Sequence, residues 1–254
     1  MNAYEIVMKS REKGRPTAQT YVSKMIDGFI ELHGDRRYAD DQAIVGGVGW
    51  IGSMPVTVIT IEKGATTQEK VQHNFGSARP EGYRKAVRLM KEAEKFHRPV
   101  LCFVDTSGAY PDDEAEERGQ GEAIAVSIME MIRLKTPTLS ILIGEGGSGG
   151  ALAISAADEV WITETATYSV ISPEGCASIL WKDGSKVAQA SECLKLTAGD
   201  LKLQGAVDRV LPEQGFSDIF YECLKADIIR FFEQKAKIPA AQLIEDRYAR
   251  FRKY

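Results

Sequence analysis

The sequence predicts an α/β domain in which strand–turn–helix units follow one another in a right-handed spiral. Three short apolar segments, at residues 100–104, 139–143 and 159–163, have the pattern of strands that are buried on both faces. Each segment is followed by a turn and then by a helical pattern, so one unit occurs three times in close succession. Consecutive units of this kind cross over with a right-handed sense, which gives the expected spiral.

The N-terminal part is predicted to form a helical lead-in, residues 1–34, and then a hairpin. The lead-in carries apolar side chains at helical spacing, with an interruption at Pro16 and an N-cap at Thr17. Residues 50–53 join the two hairpin strands, of which the second is rich in β-branched residues. In chain order we predict a helix at 18–32, strands at 43–49 and 54–63, an irregular segment at 64–82 and a helix at 83–96.

The remaining elements complete the three units and add a helical C-terminal part. In chain order we predict helices at 114–134, 151–157, 173–181, 186–196 and 198–204, a strand at 206–211 and a helix at 216–237. No linker or low-complexity segment interrupts the sequence. Residues 1–254 are therefore expected to form a single domain, with C-terminal helices from about 213 to 254.

Composition and charge narrow the classes of function. Of the 254 residues, 44% are hydrophobic and 27% are charged, and the formal net charge is −4. These values are typical of a globular protein that does not bind nucleic acid. The basic tail at residues 247–254 is interpreted as a solvated helix end or a subunit contact. The sequence has no apolar run of about 18 residues, so we expect a cytoplasmic protein that does not enter a membrane.

The spacing of cysteine and histidine gives no sign of a metal site. The four cysteines, of which Cys102 lies inside a predicted strand, form no CxxC pair. The three histidines do not follow the HExxH spacing of zinc enzymes. We therefore expect no metal ion to be bound by this chain.

Residues 144–150, which we call the glycine turn, read Gly-Glu-Gly-Gly-Ser-Gly-Gly and lie between the second strand and its helix. Glycine has no Cβ atom, so a ligand can approach the backbone of this turn closely. Amides at the start of a helix have no partner within the helix and carry partial positive charge. The sequence therefore predicts an anion or oxyanion site in the glycine turn.

Three other interpretations fit the glycine turn. Residues 144–149 match the dinucleotide pattern GxGxxG, and Glu164 follows its first glycine by twenty residues. Residues 146–150 match GxSxG, the nucleophile elbow of serine hydrolases. The short predicted helix disfavours the first pattern, and a nucleophilic Ser148 is disfavoured because no histidine follows residue 97. Tight packing of strand against helix, with no ligand, is the third interpretation.

Six stretches of the chain carry a resemblance when they are taken together and in order. Among them are Phe-Val-Asp-Thr-Ser-Gly-Ala-Tyr-Pro at 103–111 and the glycine turn with the four residues that follow it. The chain resembles the alpha subunit of bacterial acetyl-CoA carboxylase carboxyltransferase, over about residues 31–210. The matching stretches are residues 31–36, 80–86, 103–111, 115–120, 144–154 and 168–182.

This resemblance implies both a fold and a reaction. The implied fold is crotonase-like (ClpP/crotonase), an α/β spiral of repeated ββα turns with flanking N- and C-terminal helices. The implied reaction is the transfer of a carboxyl group from carboxybiotin, on a separate carrier protein, to acetyl-CoA. Its product is malonyl-CoA, which is made in the first committed step of fatty acid biosynthesis.

The resemblance also implies that the chain works in a larger, ATP-binding complex. The expected partners are a carboxyltransferase beta subunit in an α2β2 heterotetramer, the biotin carboxyl carrier protein and biotin carboxylase. In this family the beta subunit brings a zinc ion and most of the coenzyme A site. The absence of metal-ligand spacing in the present sequence agrees with that division.

The family's glycine loop faces biotin, which implies roles for backbone groups of this chain. The candidate catalytic groups are the amides of Gly146, Gly147, Gly149 and Gly150, donating to the ureido oxygen of biotin. Residues 107–109 occupy the equivalent turn one unit earlier and are the second candidate, with a purely structural turn as the alternative. The candidate substrate-binding residues are Ser107, Gly108, Ala109, Tyr110, Ser148, Ser172, Arg84 and Lys85.

Arg84 and Lys85 are expected to attract coenzyme A phosphates or the valeryl carbonyl of biotin, with a solvated helix face as the alternative. Departures from the family pattern occur at Asp112, at Ala78 and near Phe216, and they affect the expected loop contacts and the C-terminal interface. Two other functions are compatible with the sequence. One is a stand-alone crotonase-fold acyl-CoA hydratase or isomerase, and the other is a non-catalytic assembly subunit.

Overall fold

The computed structural model describes residues 1–253, which form one mixed sheet with helices on both faces. The strand order is β1-β2-β3-β4-β5-β6-β8, and β7 pairs with the end of β5. The strands are β1 (Asp27–Glu31), β2 (Ile44–Ile51), β3 (Met54–Ile61), β4 (Val100–Thr106), β5 (Thr138–Gly147), β6 (Glu159–Thr163), β7 (Thr167–Ser169) and β8 (Arg209–Leu211). The pairs β1·β2 and β2·β3 are antiparallel, and all pairs from β3 onward are parallel.

Twelve α-helices connect and cover these strands within the described residues. They are α1 (Ala3–Ser10), α2 (Ala18–Met25), α3 (Thr67–Gln72), α4 (Pro80–Lys95), α5 (Asp113–Glu117), α6 (Gln120–Arg133), α7 (Ser148–Leu152), α8 (Pro173–Trp181), α9 (Val187–Leu194), α10 (Ala198–Leu203), α11 (Asp218–Lys235) and α12 (Ala240–Phe251). None of the helices in residues 1–253 is both long and apolar enough to cross a membrane.

Each face of the sheet has its own hydrophobic core, because side chains alternate along a strand. In β4, Cys102 and Val104 point into a core that also contains side chains of α4 and α6. Leu101 and Phe103 point into the opposite core, formed with α2 and α11. The three predicted unit strands are thus confirmed as β4, β5 and β6, adjacent and parallel, with nearly all their residues buried.

The predicted helix at 18–32 is wrong in its second half. The helix ends at Met25, Ile26 is extended, and residues 27–31 form the edge strand β1. Gly28 has φ +60, a conformation that interrupts a right-handed helix at little cost for glycine. Pairing of Ile30 with Val48 then gives the segment its backbone partners. The apolar residues at 26, 29 and 30 fit a helix by spacing, but the neighbouring strand decides the outcome.

Several other boundaries differ from the predictions. The predicted helix at 114–134 is two helices, because Gly119 has φ +82 and interrupts it. The segment at 64–82, predicted as irregular, contains α3 and the start of α4, with Pro80 in the first helical turn. In the glycine turn, residues 144–147 continue β5, and α7 begins at Ser148 instead of residue 151.

The basic tail is not simply solvated, because Arg247 is buried inside the protein. It has an exposed fraction of 1%, forms an ion pair with Asp158 at 2.9 Å and donates to the carbonyls of Met131, Leu134 and Thr136. The C-terminal helical part runs to Phe251 as α11 and α12. Tyr254, the last residue of the predicted tail, lies outside the described residues.

Candidate functional site

The glycine turn and the turn after β4 are pressed together, backbone against backbone. A Cβ atom on Gly147 would lie 2.1 Å from the carbonyl oxygen of Ser107, and one on Gly150 would lie 2.6 Å from the amide nitrogen of Ala109. No side chain fits at these distances, so both positions require glycine. Residues 107–109 and the glycine turn, two separate predictions, therefore form one site at the carboxyl ends of β4 and β5.

Ser148 stands at the sharp change from strand to helix, with φ +53. The amides of α7's first turn have no intrahelical acceptors, and none is found for Gly149 and Gly150 among residues 1–253. Within residues 1–253 no side chain forms a hydrogen bond with the Ser148 hydroxyl, and two of the three histidines have other partners: His33 contacts Asp40 and His73 contacts the Gln42 carbonyl. The turn thus has the backbone shape of an elbow without the histidine that a serine nucleophile needs.

A bulge in β5 sets the direction of the glycine turn. Val104 is opposite Leu142, but Thr106 is opposite Gly146, so β5 has two more residues than β4 over this stretch. The Asp105 carboxylate accepts the Glu145 amide at 2.9 Å and occupies the space that a Cβ on Gly144 would need, 2.4 Å away. Bulges bend a strand and change where its residues point. Here the bulge directs the following glycines toward residues 107–109.

Four charged side chains surround this bulge. Glu145 accepts from Arg11 Nε at 2.7 Å and from Lys63 Nζ at 2.6 Å. Lys63 also lies 3.4 Å from Asp105. Burial alone would raise the pKa of the Glu145 carboxyl, but Lys63 and Arg11 outweigh it and hold that pKa below its ordinary value. Burial likewise opposes the charge of Lys63, yet Asp105 and Glu145 raise its pKa.

Two crevices border residues 146–150 of the glycine turn. The larger, about 270 Å³, is mostly apolar and is lined by Ser148, Gly149, Leu152, Tyr168, Ser169, Val170, Leu201 and Ala206. The smaller one is lined by Gly146, Gly147, Ser107, Ser172 and Arg11, among others. Val170, at the edge of the larger crevice, is 80% exposed. The predicted residues Ser148 and Ser172 thus border different crevices beside the same turn.

Tyr110, Arg84 and Lys85 do not join these residues. The Tyr110 ring stacks on the guanidinium of Arg79, whose central carbon lies 4.4 Å from the centre of the ring. Lys85 is completely buried and donates to Asp40 at 2.5 Å, so the alternative of a solvated helix face is wrong for it. Arg84 donates to the Arg118 carbonyl. Buried Lys85 is not available to a ligand, whereas Arg84 lines a separate crevice of about 530 Å³ with Arg88 and Lys91 among others, so its contact with coenzyme A phosphates stays a prediction.

The positions that depart from the family pattern have structural partners. Asp112 caps α5 by accepting the Ala115 amide at 2.6 Å. The Ala78 carbonyl accepts the Tyr110 amide at 3.0 Å. The Phe216 ring lies 5.2 Å from the Arg15 guanidinium carbon. Each departure is thus accommodated within the chain.

The charged residues of the site, namely Arg11, Lys63, Asp105 and Glu145, were not predicted from the sequence. Two signals were present: a single charged residue inside a run of glycines, and an aspartate directly after a buried strand. In residues 1–253, no cluster of three or more His, Cys, Asp or Glu side chains could hold a metal ion.

Comparison with known proteins decides the family. A family model described as acetyl co-enzyme A carboxylase carboxyltransferase-like matches residues 1–254. The acetyl-coenzyme A carboxylase carboxyl transferase subunit alpha of Ruminiclostridium cellulolyticum is 55% identical over 254 residues, which are 100% of this chain and 98% of that protein. The chain belongs to this carboxyltransferase alpha-subunit family. A second member, from Streptococcus equi subsp. equi, is 54% identical over 250 residues, 98% of each chain.

Solved structures of carboxyltransferases share the fold of this family member. Transcarboxylase 12S has a TM-score of 0.74 at 17% identity, covering 92% of this chain and 44% of that chain. The beta subunit of P. aeruginosa geranyl-CoA carboxylase has a TM-score of 0.70 at 15% identity, covering 94% and 46%. The chain thus spans less than half of each of these larger chains. The predicted crotonase-like fold is confirmed, as is membership of a carboxyltransferase family.

Proposed function

We propose that this chain forms the carboxyl-donor side of a carboxyltransferase that takes a carboxyl group from carboxybiotin and passes it to acetyl-CoA. Carboxybiotin, bound on a separate carrier protein, supplies the activated carboxyl group. The observation that supports the proposal most directly is the contact between the glycine turn and residues 107–109, which admits no side chain and holds in place the Gly149 and Gly150 amides, for which no acceptor is found among residues 1–253.

The chemistry requires donors directed at an oxygen that gains negative charge. Loss of the carboxyl group places charge on the ureido oxygen of biotin, and fixed amides at Gly149 and Gly150 suit that oxygen. The ureido nitrogen that has lost the carboxyl group would take the proton released from the methyl carbon of acetyl-CoA as the new carbon–carbon bond forms. Removing one such donor from an enzyme typically raises the barrier by about 3–4 kcal/mol. The hydratase or isomerase alternative requires a free carboxylate at the site, whereas Glu145 and Asp105 are both held in ion pairs.

The larger crevice suits the body of such a ligand. Its volume of about 270 Å³ and its apolar lining fit a small ring system with a single polar edge. Ser148 and Gly149 place the backbone of the glycine turn at one side of it. We assign the biotin ring system to this crevice and its polar edge to the amides.

We further propose that the chain is active only with partners. The relatives are named as subunit alpha, and the residues 1–253 offer no metal cluster. A beta subunit, with zinc and most of the acetyl-CoA site, would complete an α2β2 enzyme that works with biotin carboxyl carrier protein and biotin carboxylase in the cytoplasm. The apolar side chains of Val170, Ile179, Leu180 and Leu203, each more than 60% exposed, are candidates for that interface.

The test is malonyl-CoA formation from carboxylated carrier protein and acetyl-CoA. We expect no product with this chain alone and product with a beta subunit added. In Gly149→Val the new Cβ would lie 3.3 Å from the Ile124 side chain of α6. We expect the branched side chain to displace the turn that carries the proposed donor amides and to cause at least about a 100-fold loss of rate, the size typical for loss of one oxyanion donor. Gly184→Ala, whose new Cβ would meet no atom within 4 Å, is the matched control.

Activity of the chain alone would contradict the two-subunit proposal. Full activity of Gly149→Val with the beta subunit would contradict the donor role of the glycine-turn amides.

A further inference from the structure

The N-terminal segment, residues 3–17, reaches across the domain to the bulge of β5. Arg11 is 134 residues from its partner Glu145, and Arg15 is 128 residues from its partner Ile143. We propose that these two arginines are positioning residues, which hold the bulge and thereby fix the direction of the amides in the glycine turn. The inference rests on the proposed function, because it assigns a task to residues that do not touch the substrate.

Arg15 holds the backbone of the bulge. Its Nε donates to the Ile143 carbonyl at 2.7 Å, directly where β5 loses register with β4. Its other nitrogens donate to Thr163, Thr165 and Glu213 at 2.6–2.8 Å. The side chain is only 7% exposed. A rigid, planar guanidinium in which every nitrogen has a partner holds that carbonyl in one orientation.

Arg11 holds the side chain of the bulge and connects it to the rim of the site. Its Nε binds Glu145 at 2.7 Å, and its NH1 binds Glu174 of α8 at 2.6 Å. Ser172, the N-cap of α8, lines the smaller crevice together with Gly146 and Gly147. A single guanidinium therefore links the glycine turn, α8 and α1. Lysine could keep the charge but could not make both contacts in this geometry.

Small displacements of positioned groups are costly for catalysis. An error of about 1 Å in a reacting geometry can lower a rate by about 100-fold. The bulge is the part of β5 without regular pairing to β4, and it directly precedes the proposed donor amides. Contacts that hold the bulge therefore affect the site more than contacts elsewhere on the strand.

Arg11→Gln is the test variant, assayed with the beta subunit. We expect kcat to fall by about 10- to 100-fold with an unchanged KM for acetyl-CoA, since a misplaced turn affects the transfer step. Arg11→Lys should restore part of the rate through its remaining contact with Glu145. Lys9→Gln is the matched control, because Lys9 lies in the last turn of α1, close to the C-cap Arg11, and forms only an exposed pair with Glu12. An unchanged kcat in Arg11→Gln would overturn the proposal.

Amide hydrogen exchange at residues 144–151 provides a measurement that does not depend on the reaction. In the isolated chain we expect faster exchange there in Arg11→Gln than in the unmodified chain, with no change in Lys9→Gln. Arg15→Lys, which keeps a charge in the buried pocket, should have the same local effect. Equal exchange in all four proteins would overturn the positioning role. If the unmodified chain and the beta subunit together made no malonyl-CoA, that result would instead contradict the proposed function. The exchange data would still decide the role of Arg11.

Discussion

Strand β5 is held at both ends by arginines from the chain termini, and the two ends differ in what those contacts control. At its start, Asp158 accepts the Thr138 amide at 2.7 Å and pairs with Arg247 of the C-terminal helix α12. At its end, Arg11 and Arg15 of the N-terminal segment hold the bulge. The Arg247 side chain is 0% exposed, whereas that of Arg11 is 29% exposed.

This difference separates a contact that stabilises the fold from one that shapes the site. Arg247 donates to carbonyls at the end of α6 and in the loop before β5, and its loss would take this donor from several buried acceptors at once. Arg11 contacts two carboxylates beside the crevices and leaves part of its surface to solvent. We expect loss of the Arg247 contacts to lower the stability of the protein strongly, and loss of the Arg11 contacts to lower activity at nearly constant stability.

The largest effect is expected at the start of β5, from Arg247→Leu. The change leaves Asp158 buried without its ion-pair partner, which typically costs about 3–5 kcal/mol when a buried pair is broken. Urea unfolding, followed by circular dichroism, measures the difference. Arg252→Gln, an exposed residue of the same tail, is the control and should unfold with the original midpoint. A loss below about 1 kcal/mol in Arg247→Leu would mean that the two ends of β5 do not differ as described.

The two ends also differ in how far the sequence alone could reveal them. The strands β4, β5 and β6 can be recognised in the sequence as apolar segments, because a strand that is covered on both faces has to be apolar. Glycines 147 and 150 are visible as a pattern, and the structure adds the reason, which is the approach of residues 107–109. Membership of the family and its fold could be predicted from such stretches alone.

The arginine contacts could not be predicted, because their partners are distant in sequence and lie in segments without a distinctive pattern. Arg11 and Arg247 stand among many exposed charges, and only the folded chain shows which are buried. The edge strand β1 was missed for a related reason. Its apolar residues fit a helix equally well, and the deciding contribution is pairing with β2.

A double-mutant cycle sharpens the comparison at the end of β5, with a smaller expected effect. For Arg11→Gln and Glu145→Gln, measured by urea unfolding, we expect a coupling free energy of about 0.5–1.5 kcal/mol, within the range for residues in contact. The cycle with Glu174→Gln should give less than about 0.5 kcal/mol, since the Glu174 side chain is 47% exposed and solvent screens the pair. Equal couplings would show that burial beside the bulge does not strengthen the Arg11–Glu145 pair.

The smallest effect is expected from a third buried cation, Lys85, which touches neither end of β5. Its partner is Asp40, whose pKa burial alone would raise; the hydrogen bonds from Lys85, the Gly34 amide and His33 outweigh burial and lower that pKa to about 2. A carboxyl with a depressed pKa in the folded protein stabilises it above its unfolded pKa of about 3.9. This contribution is lost as the pH falls toward 2.

We therefore expect Asp40→Asn to flatten the loss of stability between about pH 4 and pH 2, measured as urea midpoints at each pH. Between pH 4 and pH 2, the free energy of unfolding should change in the variant and in the unmodified chain by amounts that differ by less than about 1 kcal/mol, because Asp40 is partly exposed and water screens its pair with Lys85. Asp218→Asn, which removes an exposed carboxylate paired with Lys24, is the control and should change the curve less. If Asp40→Asn and Asp218→Asn gave the same dependence of stability on pH, the buried Lys85 would form no stronger ion pair than the exposed Lys24. Burial could then not explain why Arg247 and Arg11 differ in their effect on stability.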